Sequence, residues 1–169
     1  MIQYNSDKTD CWLEDYREAL RVAAHLQIKL LKFDFSAEYK KQVLKYMFKT
    51  YQAGRTPNPD VLCNTFIKFG SWLKMAKKMG FDFLATGHYA RLILTEKYVN
   101  LKTLKHYRTT TQYGLCQARD INKDQTYFLH QLNQRQLSSV LFPIGQYSKP
   151  QVRKLAKKFG LPNAKREES

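Results

Sequence analysis

Two side chains three residues apart carry the chemistry that this chain could do, the carboxyl of Asp60 and the thiol of Cys63. They belong to the stretch Gly54-Arg55-Thr56-Pro57-Asn58-Pro59-Asp60-Val61-Leu62-Cys63-Asn64. Pro57 and Pro59 stiffen it and push Thr56 and Asn58 out of the α region. Asp60 stands where a helix N-cap would be, followed by apolar Val61 and Leu62. Cys63 then falls in that helix's first turn, where the positive end of the dipole favours thiolate, the reactive form of cysteine. The stretch thus reads as a rigid loop holding one carboxylate and one activatable thiol. The plainer account of the same residues is a capping aspartate and a small core cysteine.

The elements that must position this loop follow from apolar spacing. Thr9 or Asp10 can cap a helix over residues 12–26, with Leu13, Tyr16, Leu20, Ala23 and Ala24 on one face. Residues 27–35 read as a buried strand. Ser36 caps the next helix, whose inner stripe is Tyr39, Val43, Tyr46, Met47, Thr50 and Tyr51, and Gly54 stops it. After the loop, Phe66, Ile67, Leu73, Ala76 and Met79 recur at helical spacing up to Gly80. Residues 81–89 form a short strand. Strand, helix, helix, strand is the rhythm of a parallel α/β sheet, which takes ligands beyond the carboxyl ends of its strands. Thr86-Gly87-His88 lies at such an end. Gly87 admits the close approach of a flat ligand such as adenine. His88 either bonds a phosphate or satisfies local structure.

Further on, residues 91–105 alternate as strands of a hairpin would. Residues 107–113 read as a polar loop, and 115–118 as a returning strand in which Cys116 packs. Asn122-Lys123-Asp124-Gln125 has the form of a capping box. It would open a helix running to Leu132, with Lys123 and Gln125 also candidate phosphate or sugar contacts. A short helix over 134–141 precedes a final one opened by Ser148, with Val152, Leu155, Ala156 and Phe159 on its apolar face. Lys149, Arg153, Lys154, Lys157 and Lys158 make that helix basic, as a solvated face or as one that contacts a nucleic-acid backbone.

The totals bound the function classes. The chain has 169 residues, 29 Lys plus Arg against 14 Asp plus Glu, and a net charge of +15. Such a field attracts polyanions, nucleic acid before anionic membrane. A hydrophobic content of 43%, with 11 Tyr and 10 Phe, supports a packed core. No apolar run approaches the ~20 residues of a membrane span, so no membrane partner is expected. The 3 cysteines, Cys11, Cys63 and Cys116, form no CxxC pair and no zinc spacing with histidine. An odd count with no signal peptide points to a reducing, cytoplasmic setting. No metal site is expected.

Several long motifs in order now carry a resemblance. Gly54 to Asn64, then Ile67-Lys68-Phe69, Ala85-Thr86-Gly87-His88-Tyr89-Ala90-Arg91, Lys123-Asp124-Gln125-Thr126-Tyr127-Phe128-Leu129, Leu141-Phe142-Pro143-Ile144-Gly145 and Lys149-Pro150-Gln151-Val152-Arg153-Lys154 resemble the tRNA-specific 2-thiouridylase family. The resemblance implies a partial α/β domain of the ATP-pyrophosphatase type over residues 1–143, adenine nucleotide α-hydrolase-like, with a helical tRNA-binding domain beginning at 144–169. It implies that ATP, with magnesium, adenylates the O2-bearing carbon of the wobble uridine, and that a cysteine persulfide then delivers sulfur. By the same resemblance Cys63 is the nucleophilic cysteine, which helps release sulfur and joins a transient disulfide, and Asp60 is its acid/base partner. Asn58, Pro59 and Asp60 face the target base. Met1 and Gly87 line the ATP site, and Lys123, Asp124 and Gln125 contact tRNA. The implied partners are tRNA and a sulfur-donor protein, a persulfide relay or a cysteine desulfurase.

The departures from that family set further expectations. Its Ser-Gly-Gly-Val-Asp-Ser phosphate loop belongs upstream of Met1, its second cysteine a few residues beyond Ser169, and its C-terminal β-barrel further still. Cys116 is not that second cysteine, because it precedes Lys123-Asp124-Gln125. The chain alone is therefore expected to be inactive, and a mitochondrial origin stays open if a leader precedes Met1. Two alternatives stand beside the enzyme: a non-catalytic basic fragment that holds tRNA, and an ATP-dependent tRNA-modifying enzyme of another kind, such as a lysidine synthase, which needs no thiol in the loop.

Overall fold

The computed structural model describes residues 11–99 and 108–166. They divide into two compact units, one made of the described residues up to Pro57 and from Lys149 on, the other of Asn58–Ser148.

In the first unit, helix α1 covers Cys11–His25, within one residue of the expected span. It closes with Ile28 N–H bonded to the Ala23 carbonyl and Gln27 at φ 54°, a left-handed helix stop. Of its expected inner face only Ala23 is buried, and Leu20 is exposed. Helix α2 runs over 36–52 as Ser36–Tyr39, Lys40–Leu44 and Lys45–Gln52, the middle five residues in π geometry. Ser36 does not cap it by accepting. The Asp34 carboxylate accepts from the Ser36 N–H at 2.8 Å and from its hydroxyl at 2.5 Å, which holds the Asp34 carboxyl below its usual range. Tyr39 and Val43 of the expected stripe are buried, whereas Tyr46 and Tyr51 are exposed. Gly54, at φ 69°, stops the helix as expected.

The strand expected over 27–35 is not formed. Residues 28–35 carry no ladder to any described residue, and Ile28, Leu30 and Leu31 are exposed. An apolar run becomes a buried strand only when neighbours satisfy its backbone on both edges, and the described residues supply none.

The second unit holds the site. Helix α3 spans 59–78 as Pro59–Leu62, a ten-residue π stretch Cys63–Trp72, and Leu73–Lys78. Gly80, at φ 86°, ends it. Strand β1, only Leu84–Ala85, pairs in parallel with β4, Val140–Leu141. The parallel pairing is the expected kind, but the expected strand over 81–89 shrinks to two residues. The expected helix over 134–141 shrinks to α4, Gln134–Leu137, which leaves Val140 and Leu141 to the sheet. Strand β2, Ala90–Val99, pairs antiparallel with β3, Arg108–Gln117, in the register Ala90 to Gln117 and Val99 to Arg108. A hairpin forms, but not within 91–105 as expected: 90–99 is a single strand, and its partner takes in 108–113, which read as a loop. Thr109, Thr110 and Thr111 are β-branched and suit a pleated surface. The last helix, α5, is Lys149–Lys158 and belongs to the first unit. None of its residues is buried.

The core of the second unit joins α3, α4 and the four strands. Phe69 and Leu73 of α3, Ala90 of β2, Leu129, Leu132, Leu137 of α4, Val140 of β4 and Phe142 are buried together. Gly145 lies so close to the start of β2 that a Cβ there would fall 1.7 Å from the Ala90 carbonyl oxygen, so only glycine fits. Among the described residues no helix is long and apolar enough to cross a membrane.

Candidate active site

The loop before α3 is built by local rules. Asn58 precedes Pro59 and is therefore held extended, at φ −115° and ψ 91°. That is N-cap geometry, and its side-chain oxygen accepts from the Val61 N–H at 3.3 Å. Pro59 takes the first helical position, where its missing N–H is no loss. Asn58, not Asp60, is thus the cap. The correction frees the Asp60 carboxylate from a capping bond. It also places Asp60 and Cys63 three apart within one helix, on neighbouring positions of one face.

The expectation of a thiolate at Cys63 is overturned. Cys63 is half-buried, and burial pushes its thiol pKa up. The nearby Asp60 carboxylate pushes it the same way, while Lys68 pulls it down without reversing the sum. The cap shifted two residues toward the N-terminus, so Cys63 is the fifth helical residue, past the turn where the dipole is felt. At neutral pH the site holds a protonated thiol with the Asp60 side chain beside it. Next to it, Asn64 is 2% exposed and its amide oxygen accepts no hydrogen bond from any described residue.

The first turn of α3 packs against the short 3₁₀ turn Thr126–Phe128, which follows Lys123-Asp124-Gln125. No capping box forms at Asn122, and no helix runs to Leu132. Instead 3₁₀ turns cover Ile121–Lys123 and Thr126–Phe128. The acceptors of the motif are spent on structure. Asp124 Oδ1 accepts from the Ala118 N–H at 2.7 Å and the Thr126 hydroxyl at 2.6 Å. Gln125 Oε1 accepts from the Tyr89 N–H at 3.0 Å, and the Gln125 N–H donates to the Tyr89 carbonyl at 2.9 Å. Gln125 thereby fastens the Ala85–Arg91 motif to the turn beneath α3.

Within that motif, neighbours point opposite ways. His88 is buried. Its Nδ1 is 2.8 Å from the Thr86 hydroxyl, and its ring packs against Phe69 and Phe142 at 5.7 and 6.0 Å between centroids. Burial first, then Lys68, lowers its pKa to about 4, so it is neutral at pH 7 and serves the core. Gly87 is exposed just past the carboxyl end of β1, and a Cβ there would meet nothing within 4 Å. Met1 lies outside the described residues. Cys116, half-buried in β3, shows no feature beyond packing. No group of three or more His, Cys, Asp or Glu that could hold a metal occurs among the described residues.

Sequence reasoning missed Gln136. It completes a capping box with Asn133, and its amide N–H groups reach the carbonyls of Thr65, at 3.2 Å, and Phe69, at 2.9 Å, in the π stretch of α3. The spacing Asn133-x-x-Gln136 was a legible signal for the box, though not for the cross-link.

Residues 2–169 match the family described as tRNA methyl transferase HUP domain. The chain belongs to that family. Its fold is accordingly the α/β HUP fold, in line with the parallel pair β1–β4. Among relatives, the tRNA-specific 2-thiouridylase MnmA of Flavobacterium johnsoniae is 48% identical over 158 residues, 94% of this chain and 38% of the relative. The MnmA of Thiobacillus denitrificans is 46% identical over 92% of this chain and 40% of its own length, and that of Nitrosomonas eutropha 44% over 100% and 44%. The chain thus spans 38 to 44% of the length of these curated relatives.

Proposed function

We propose that this member of the HUP family supplies the thiol loop of an ATP-dependent tRNA 2-thiouridylase. The observation that carries the proposal is the capped start of α3, which sets Asp60 and Cys63 on one face, with that first turn packed on Thr126–Phe128, the turn that follows Lys123-Asp124-Gln125. Asn58, Pro59 and Asp60 would meet the target uridine, and Lys123 would meet tRNA phosphate. Asp124 and Gln125 act mainly by shaping that turn. ATP, with magnesium, would supply the leaving group for the uridine oxygen. Gly87 fits adenine, because its open face lets a flat ring reach the backbone, and Met1 is the second residue assigned to that site.

Cys63 rests protonated, which guards it from oxidation until substrate arrives. On activation its proton passes to Asp60. The thiolate attacks the sulfur–sulfur bond of a cysteine persulfide, supplied by a donor thiol. That bond breaks, a disulfide forms between the two cysteines, and hydrosulfide leaves toward the uridine carbon.

A chimera in which this chain replaces the matching segment of the Flavobacterium johnsoniae relative tests the proposal. 2-Thiouridine in bulk tRNA is the readout. The chimera should make it, and Cys63→Ser and Asp60→Ala should each lower it by about a hundredfold or more. A folded chimera that makes none, or one indifferent to Cys63→Ser, overturns it. The raised thiol pKa favours a second reading, a basic chain that holds tRNA without chemistry. Under it both substitutions leave RNA affinity unchanged and no thiolation is found.

A further inference from the structure

On the α3–α4 side of the second unit is a concavity of about 560 Å³ lined by Phe69, Gly70, Leu73, Lys74, Lys77, Asn133, Arg135, Gln136 and Ser139. Three cations line it and no carboxylate does. Among the described residues none of Lys74, Lys77 and Arg135 is ion-paired. Lys77 is held in place, its ammonium donating to the Asp82 carbonyl at 2.5 Å and lying 5.9 Å over the Phe83 ring.

The polar groups of the lining are as one-sided as its charge. The amide oxygen of Asn133 already accepts from the Gln136 N–H, and that of Gln136 from the Asn133 N–H. The Thr65 and Phe69 carbonyls take the Gln136 amide N–H groups. What remains open among the described residues is mainly donors: the Lys74 and Arg135 side chains and the Asn133 amide N–H groups, with the Ser139 hydroxyl able to donate as well as accept. A concavity whose acceptors are engaged and whose donors are open selects an anion with several oxygens.

We infer that this concavity binds the phosphodiester backbone of an RNA strand, as a phosphate site separate from the Asp60–Cys63 face. RNA is favoured over a small anion because the cations stand on two elements, Lys74 and Lys77 on α3 and Arg135 on α4. They are spread across an open groove rather than gathered around one point. The inference rests on the tRNA reading for the identity of the strand. Lys74 is eleven residues along α3 from Cys63, roughly 16 Å of helix, so one RNA could meet both places at once.

The test is binding of a synthetic stem–loop RNA to the full chain over a range of salt. In the variant Lys74→Gln/Lys77→Gln/Arg135→Gln, the slope of log affinity against log salt should fall by about 2 to 3 units, and affinity at moderate salt by about tenfold or more. A control with the same charge change on the exposed side of α2, Lys41→Gln/Lys45→Gln/Lys49→Gln, should have the smaller effect. Lys74→Gln/Arg135→Gln keeps the Lys77–Asp82 contact and should show about two thirds of the triple variant's slope change, which guards against a folding artefact. An unchanged slope in the concavity variant, or equal losses in variant and control, overturns the inference. So does ATP titrated in place of RNA, if the variant loses ATP and keeps RNA. The loss should be equal for loops with uridine or cytidine at the wobble position. A preference between those loops in the unaltered chain bears on the thiouridylase reading instead, so the two can fail separately.

Discussion

The two units differ in what covers their apolar side chains. In Asn58–Ser148, residues from α3, all four strands, α4 and the intervening turns meet in one buried cluster or pack against it. Among the described residues of the other unit, Ala23, Phe35, Tyr39, Val43 and Pro57 are the buried apolar ones, while Leu20, Ile28, Leu31, Phe48, Tyr51 and Phe159 are exposed. Polar contacts at the surface also tie that unit. His25 Nε2 meets the Phe159 carbonyl at 2.9 Å, and Arg166 meets Asp15 at 2.7 Å. Exposed pairs of this kind contribute about 0–1 kcal/mol, whereas each buried large side chain contributes about 1.5–3 kcal/mol. The candidate site therefore stands on the better-packed unit. A geometry held by burial is what an acid–thiol pair needs to keep its spacing.

The widest gap between the units should open with Gly145→Ala. A methyl placed 1.7 Å from the Ala90 carbonyl oxygen has to displace the start of β2. A loss of about 3 kcal/mol or more is expected, read as early loss of amide protection in β2 and β3 while that of α1 is unchanged. Equal loss in both units would mean that they unfold as one.

Acid should do the same more gently. His88 titrates near 4 in the fold and near 6.5 in an unfolded chain. Below 6.5 the unfolded chain takes up a proton that the fold refuses, so stability that is full above pH 6.5 is lost progressively as pH falls toward 4. The loss amounts to about 3 kcal/mol at most. Denaturant midpoints at pH 7 and pH 4.5 should diverge for the second unit, and His88→Gln should remove most of the divergence. A midpoint indifferent to pH would mean that the ring is hydrated.

Gln136→Ala should cost about 2 kcal/mol, because it removes two donors to the α3 carbonyls and half of a capping box. Gln136→Glu separates these contributions. It keeps the reciprocal acceptor for the Asn133 N–H but cannot donate to Thr65 and Phe69. If it is as stable as the parent chain in urea, the cross-link to the π stretch contributes nothing.

What was legible in the sequence follows the same division. Some local signals were read well in both units. The α1 span and the Gly54 and Gly80 stops depend on neighbours a few residues away. The loop around Asp60 and Cys63 was found because proline chemistry is local. Its cap was misassigned by two residues, since the pre-proline bias that makes Asn58 extended also makes it the better N-cap. That shift, with burial, inverted the expected state of the thiol. Pairing was not legible. Val140 and Leu141 look helical until Leu84 and Ala85 are seen beside them, and residues 28–35 look like a strand although no described residue pairs with them. Long-range polar links such as Gln125 to Tyr89 and Gln136 to Phe69 leave no periodic trace at all.

The smallest effect expected is on the uncovered side, where it sharpens the contrast most. Ile28 and Leu31 are 60% and 45% exposed. Each should accept lysine within about 0.5 kcal/mol, as surface positions do. The pair Ile28→Lys/Leu31→Lys should also lower binding of a hydrophobic dye without moving the urea midpoint, because the dye reads open apolar surface and the midpoint reads the core. If instead the double variant loses more than about 1 kcal/mol, these side chains are covered in solution. Residues 28–35 would then behave as the buried strand that their apolar run describes, and the difference between the units would lie in what meets them rather than in how they pack.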